Sequence, residues 1–204
     1  MYLQRFCMTL SSLIMKNYLY YSIVLLCLFT LSSYAQKDTI WFDSNWKKTT
    51  KDNAAFYRTE SSKKGNGYWF EDYYVSGVKQ MEGISMYKDK EVFDGTVKWY
   101  YENGKPLQVV NFKNGKLNGK RQIFFENGKL KSESFYKNGN KEGKYKLYYD
   151  NGRLNKEGNF KNNLETGLWK IYYPNGKMKS EGTYQDGKKV NIWKTYYYDG
   201  TNQN

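Results

Sequence analysis

The sequence predicts an all-β fold, an elongated antiparallel β-meander or solenoid of 24-residue hairpin repeats, preceded by the helix of a signal peptide. Three observations predict it. Glycines recur at Gly95, Gly119, Gly143 and Gly167, with Asn191 in the next slot, at a spacing of 24 residues that never slips. Every unit holds two turn dipeptides: Asn103-Gly104, Asn127-Gly128, Asn151-Gly152 and Asn175-Gly176 first, then Asn114-Gly115, Asn138-Gly139, Asn162-Asn163 and Asp186-Gly187. Between the turns, apolar and polar residues alternate with the period of a strand. Asn-Gly between such runs signals a tight hairpin, because both central residues of a type I′ turn take positive φ. Gly104, Gly115, Gly128, Gly139, Gly152, Gly176 and Gly187 are therefore the expected turn glycines.

The chain opens on an export signal. Counted from Met15, the expected start, Lys16 supplies the positive end, residues 18–31 form an apolar run of 14, and Ser33 and Ala35 are the small residues of a cleavage site. The run falls short of the roughly 20 apolar residues of a membrane-spanning helix. With residues 1–35 removed after Ala35, Cys7 and Cys27 go too, and the exported chain holds together by packing and repetition rather than disulfides.

Residues 36–66 read as a degenerate capping repeat. Ile40-Trp41-Phe42 is a strand running into a turn at Asp43-Ser44-Asn45, Ala54 to Arg58 is a second strand or a short helical turn, and the polar residues 60–67 are a loop. Residues 67–94 form an imperfect repeat, with Tyr73-Tyr74-Val75-Ser76-Gly77 as its turn element and three extra residues between Ser85 and Asp94. Residues 95–204 hold four regular repeats and a C-terminal half repeat.

Composition fits a thin sheet better than a central core. Aromatic residues make up 19% of the chain, 22 of them tyrosines, while aliphatic residues are sparse. Tyrosine buries a ring and leaves its hydroxyl wet, which suits strands packed only against their neighbours. Alternation puts Val97, Trp99, Ile123, Tyr145, Leu147, Trp169, Ile171 and Trp193 on one face, interrupted by Arg121. An oily face of this kind is expected to be hidden by curling of the twisted sheet. The opposite face carries Lys98, Tyr100, Lys146, Tyr148, Lys170, Tyr172, Lys194 and Tyr196, the candidate binding residues. Rings that stack on sugars and lysines that meet phosphate or carboxylate make this a platform for a protein, a glycan or an anionic lipid. The same pattern also serves as a solvated face whose lysines oppose edge-to-edge aggregation.

With no histidine, and no cysteine after residue 27, the usual nucleophile–base pairs and His/Cys metal sites cannot be built. Neither cofactor nor metal is expected, and the turn sequence Asn-Gly-Lys places a cation where calcium would need oxygen. Glu133, Glu157 and Glu181 recur at matched positions; they are carboxylates for a glycosidase-like pair or, more simply, cross-strand partners for lysine. Export argues against nucleic acid as the partner of a chain with net charge +13.

The run Gly-Leu-Trp-Lys-Ile-Tyr-Tyr-Pro-Asn-Gly-Lys at residues 167–177, followed by Glu181-Gly182-Thr183-Tyr184-Gln185-Asp186-Gly187, resembles the MORN repeat. More closely it resembles the variant found in bacterial proteins labelled YwqK-like antitoxins. The resemblance covers residues 68–200, and the opening segment with Trp46, Ala54 and Tyr57 is similar to the start of exported members. It implies an elongated sheet of hairpins serving as an interaction scaffold, at membranes in some members; with the export signal and the missing catalytic chemistry, the expectation is a non-catalytic scaffold of the cell envelope. The alternative it implies is an antitoxin or immunity-type role, although an exported chain does not meet a cytosolic toxin.

Overall fold

The computed structural model describes residues 39–203. The signal peptide expected over residues 1–35 lies outside them. Fifteen strands form one antiparallel sheet: β1 (Ile40–Phe42), β2 (Phe56–Arg58), β3 (Ser62–Lys64), β4 (Gly67–Tyr74), β5 (Lys79–Ser85), β6 (Gly95–Tyr100), β7 (Pro106–Lys113), β8 (Lys116–Phe124), β9 (Leu130–Lys137), β10 (Asn140–Tyr148), β11 (Leu154–Lys161), β12 (Leu164–Tyr172), β13 (Met178–Gln185), β14 (Lys188–Tyr196) and β15 (Asn202–Gln203). They follow sequence order, with β3 alone standing off the path against β4. The segment 54–58 resolves as strand β2, after a single 3₁₀ turn at Lys51–Asn53. The expected loop at 60–67 is instead a small hairpin, because Gly65 takes φ +60° and lets β3 fold back on β4. The lengthened loop after β5 is organised by Ser85, whose hydroxyl accepts from the Val92 amide at 3.1 Å and donates to the Lys90 carbonyl.

The two turns of each repeat differ in kind. At the second turn both central residues have positive φ: Asn114 and Gly115, Asn138 and Gly139, Asn162 and Asn163, Asp186 and Gly187. These are the expected type I′ turns. At the first turn only the glycine has positive φ, and Asn103, Asn127, Asn151 and Asn175 do not. Gly104 N–H donates to the Tyr101 carbonyl at 2.9 Å and Tyr101 N–H to the Lys105 carbonyl at 2.8 Å, a three-residue loop with a glycine bulge in place of the expected two-residue type I′ turn.

The asparagine has a different task there. Asn103 Oδ1 accepts from the Lys105 amide at 3.0 Å, while its Nδ2 donates to the carbonyl of Glu126 in the next repeat at 3.2 Å. Asn127, Asn151 and Asn175 repeat both bonds. A tyrosine ladder runs beside them: Tyr101 to the Phe124 carbonyl, Tyr149 to that of Tyr172, and Tyr173 to that of Tyr196. Phe125 occupies the same position and has no hydroxyl to give.

The glycine that marks the period is a bulge glycine. Gly119, Gly143 and Gly167 have φ of +108°, +93° and +68°, and pairing slips beside each of them. Asn191 fills the last slot at φ +60°, asparagine being the next most tolerant residue in that region. The bulge aims the following side chain back over the preceding strand. Trp169 lies over Gly158 so closely that a Cβ there would fall 2.2 Å from the indole, and Trp193 covers Gly182 in the same way. Tyr145 pairs with Ser134, and Arg121 with Val110. From Arg121 to Trp193 the partner shrinks as the covering residue grows, whereas Val97 at the start of the array already lies over a glycine, Gly83.

This pairing buries Val97 and Trp169 and leaves Trp99, Ile123, Tyr145, Leu147, Ile171 and Trp193 half-buried. Among the described residues no pairing closes the sheet into a barrel, and neighbouring rings meet edge to face, as Phe160 and Tyr184 do against Trp169. Trp169 is fully buried between Tyr145, Phe160 and Tyr184, with Lys156 reaching over its ring at 4.4 Å. Phe70, Met81, Phe93 and Val97 make a second buried cluster toward the N-terminal end. Arg121 donates from Nη2 to Gln108 Oε1 at 3.0 Å, while its buried Nε has no partner among the described residues.

Two stability changes follow. Gly158→Ser is expected to cost about 1–3 kcal/mol in urea unfolding, and adding Trp169→Tyr, which recreates the Ser134–Tyr145 pair, to recover most of it; strictly additive losses would contradict this packing. Phe125→Tyr restores the missing hydroxyl opposite the Tyr148 carbonyl and is expected to add about 1 kcal/mol, read as a higher urea midpoint at unchanged slope.

Candidate functional site

The eight lysines and tyrosines singled out from the sequence do share one face, on β6, β10, β12 and β14. Register shows what stands between them. Lys146 lies opposite Glu133 on one side and Glu157 on the other, Lys170 opposite Glu157 and Glu181, and Lys194 opposite Glu181. Lys98 faces Glu82, with an ion pair of 3.5 Å. Lys120 approaches Glu133 at 3.1 Å, and Lys146 approaches Glu157 at 3.9 Å. Charges thus alternate along the middle of the face. Exposed pairs of this kind contribute little each, roughly 0.2–1 kcal/mol.

Three of the four tyrosines, all but Tyr148, are spent on carboxylates of the same row. Tyr100 donates to Glu82 at 2.7 Å, Tyr172 to Glu157 at 2.9 Å and Tyr196 to Glu181 at 3.2 Å. Burial, together with these hydrogen bonds, pushes the Tyr100 and Tyr172 phenols up to about 12. Burial alone would raise the Glu82 carboxyl, but bonds from Tyr100 and Lys79 outweigh it and hold the group below the ordinary carboxylate range. Glu133, Glu157 and Glu181 thus take the cross-strand role, and Glu157 also lines a shallow cavity of ≈ 350 Å³ with Lys146 and Lys170. Among the described residues no cluster of three or more acidic, histidine or cysteine side chains is arranged to hold a metal.

Four tandem units of this sheet, at residues 93–114, 117–138, 141–162 and 165–186, match the MORN repeat variant.

Each MORN unit is one hairpin built around a first turn, and the type I′ turns are the joints between units. The flanking hairpin of β4 and β5 lies outside the match but closes its turn alike, with Tyr74 N–H donating to the Val78 carbonyl at 2.8 Å. No curated protein matches the chain.

The joints carry a feature that reading the first strands alone misses. Lys113, Lys116, Lys137, Lys161 and Lys188 flank the MORN joints, are exposed, and take part in no ion pair among the described residues. Asp94, Glu142, Glu165 and Asp186 are acidic residues within this rim. Glu142 accepts the amide of Asn162 at 2.9 Å. The signal was present in the sequence as lysine on either side of the second dipeptide, as in Lys113-Asn114-Gly115-Lys116.

The raised phenols predict an alkaline limit. Unfolded tyrosine ionises near 10, so the stability contributed by Tyr100 and Tyr172 is intact below that pH and is lost between about pH 10 and 12. Glu82→Gln is expected to bring Tyr100 back toward its ordinary value, read by ultraviolet titration of the phenolate; an unmoved Tyr100 would contradict the assigned cause.

Proposed function

We propose that this chain is a non-catalytic repeat scaffold of the cell envelope that binds an anionic surface through the lysine rim of its MORN joints and the adjoining ends of the Lys/Tyr face. The observation that carries this reading is the contrast between the two lysine sets. On the face, Lys146 and Lys170 each stand between glutamates, whereas the rim lysines have no carboxylate in ion-pair reach among the described residues. Successive joints are two strands apart, about 9.6 Å at the usual inter-strand spacing. A row of cations at that interval suits a surface or polymer that bears phosphate or carboxylate at many points. Each lysine near such a surface contributes about 1 kcal/mol and is screened by salt.

Export rests on the leader, with Lys16 ahead of the apolar residues 18–31 and Ser33 and Ala35 at the cut, and it sets aside an antitoxin role in the cytosol. The lack of histidine throughout, and of cysteine after residue 27, supports a scaffold rather than an enzyme.

Sedimentation with vesicles containing phosphatidylglycerol tests the proposal, with pure phosphatidylcholine vesicles and an acidic polysaccharide in parallel. Binding to the anionic probes that weakens with salt, and falls at least about tenfold in Lys113→Glu/Lys137→Glu/Lys161→Glu, is expected. Equal binding to neutral vesicles, or a triple variant that binds as well as the parent, would contradict it.

A further inference from the structure

Asparagine followed by glycine is prone to spontaneous deamidation, because glycine has no Cβ to keep its backbone nitrogen from the preceding side-chain carbonyl carbon. The two kinds of turn expose this chemistry differently. At the first turns the asparagine side chain is tied at both ends. Asn127 Oδ1 accepts from the Lys129 amide at 2.9 Å and Nδ2 donates to the Asp150 carbonyl at 3.4 Å, and Asn103, Asn151 and Asn175 are held alike. At the joint Asn138-Gly139 the asparagine is exposed, and its side chain makes no hydrogen bond among the described residues.

The glycine amides do not account for the contrast. Gly128 N–H donates to the Phe125 carbonyl and Gly139 N–H to the Leu117 carbonyl, both at 2.8 Å, so attack breaks one such bond at either turn. Around Gly139 there is room, with nothing inside 4 Å of where a Cβ would stand. The other untied pairs are crowded. Val92 Cγ1 lies 3.0 Å from the same point on Gly115, and Gly67, which follows Asn66, is buried against Ile84 and Ser85. Asn118 Oδ1 is engaged by the Asn138 amide at 3.2 Å.

The joints themselves show what the product would do. Asn114, Asn138, Asn162 and Asp186 share one slot, at φ of +50°, +51°, +50° and +49°. Aspartate thus makes the same turn as asparagine.

We infer that Asn138 is a site of spontaneous deamidation, which replaces a neutral amide in the lysine rim by a carboxylate. The Gly139 nitrogen attacks Asn138 Cγ and gives up its proton, the Cγ–Nδ2 bond breaks, and ammonia leaves. Water then opens the cyclic imide at either carbonyl, giving aspartate or isoaspartate, and no oxidant or cofactor takes part. Aspartate fits the slot as Asp186 does, whereas isoaspartate adds a backbone carbon that a two-residue turn does not accommodate. Either product sets a negative charge next in sequence to Lys137 and lowers the charge of its joint. The modification site stands by itself, while its effect on binding rests on the function proposed above.

The test is incubation of the full chain in mildly alkaline buffer, followed by peptide mapping with mass spectrometry. In the folded chain Asn138 is expected to deamidate at least about tenfold faster than Asn103, Asn127, Asn151 or Asn175, whose two side-chain bonds must break first. In guanidinium, where the turns are gone, all five should react at similar rates. Native rates that do not separate Asn138 from the first-turn asparagines, or an Asn138 that stays intact while the unfolded chain reacts, would overturn the inference. Asn138→Asp is expected to keep the parent's circular dichroism and to bind phosphatidylglycerol vesicles about fivefold more weakly. Equal binding by that variant would overturn the effect on the rim. A parent that deamidates at Asn138 yet does not bind such vesicles would uphold the site and contradict the anionic-surface reading alone.

Discussion

One amide side chain per repeat ties the sheet together. The first-turn asparagine accepts from the backbone two residues on, closing its own hairpin, and donates to a carbonyl of the next, as Asn151 does to Arg153 and Pro174. Neither bond is strong, each contributing about 1 kcal/mol net. Their value lies in where they sit. A strand edge in a single-layer sheet slides unless something outside the ladder fixes its register, and here the fixing group returns every 24 residues. Lys105, Lys129 and Arg153 add side-chain bonds to carbonyls one repeat further on.

With register fixed, the bulge glycines act as aiming devices. Gly167 turns Trp169 over Gly158, and the slot filled by Asn191 turns Trp193 over Gly182. The sheet therefore buries its rings without a second layer, each against the strand beside it. The same register interleaves Glu157 between Lys146 and Lys170, leaving the middle of the opposite face nearly neutral and the surplus positive charge on the joints. Packing, charge distribution and the proposed anionic contact thus share one cause.

Much of this was legible in the chain. The period, the type I′ joints and the common face of Lys98, Lys146, Lys170 and Lys194 follow from spacing and alternation alone. The first turn was misread because Asn-Gly is equally at home in a two-residue and a three-residue hairpin, and only the backbone angle of Asn103 separates them. The covering of the oily face was missed because the partner of Trp169 is a glycine, which carries no hydrophobic signal. Arg121 breaks the alternation because its partner Gln108, which accepts from Nη2, lies on a neighbouring strand that the alternation does not reveal. A cavity at the N-terminal cap was beyond reach from sequence, since Phe42, Gln80 and Trp99, which line it, are brought together by pairings with no repeat spacing behind them.

The account stands or falls on register, and excising part of the array tests it most directly. Removing residues 120–143 joins Gly119 to Lys144, a junction equivalent to Gly143-Lys144, and takes out one whole period of 24. Removing residues 121–143 leaves one residue too many and sends every later side chain to the wrong face until the register is recovered. The first deletion is expected to give a soluble chain with β-type circular dichroism and cooperative unfolding at somewhat lower stability, and the second an aggregated or unfolded product. Two deletions that fold equally well would show that the periodic ties do not set the register, and would contradict the account at its root.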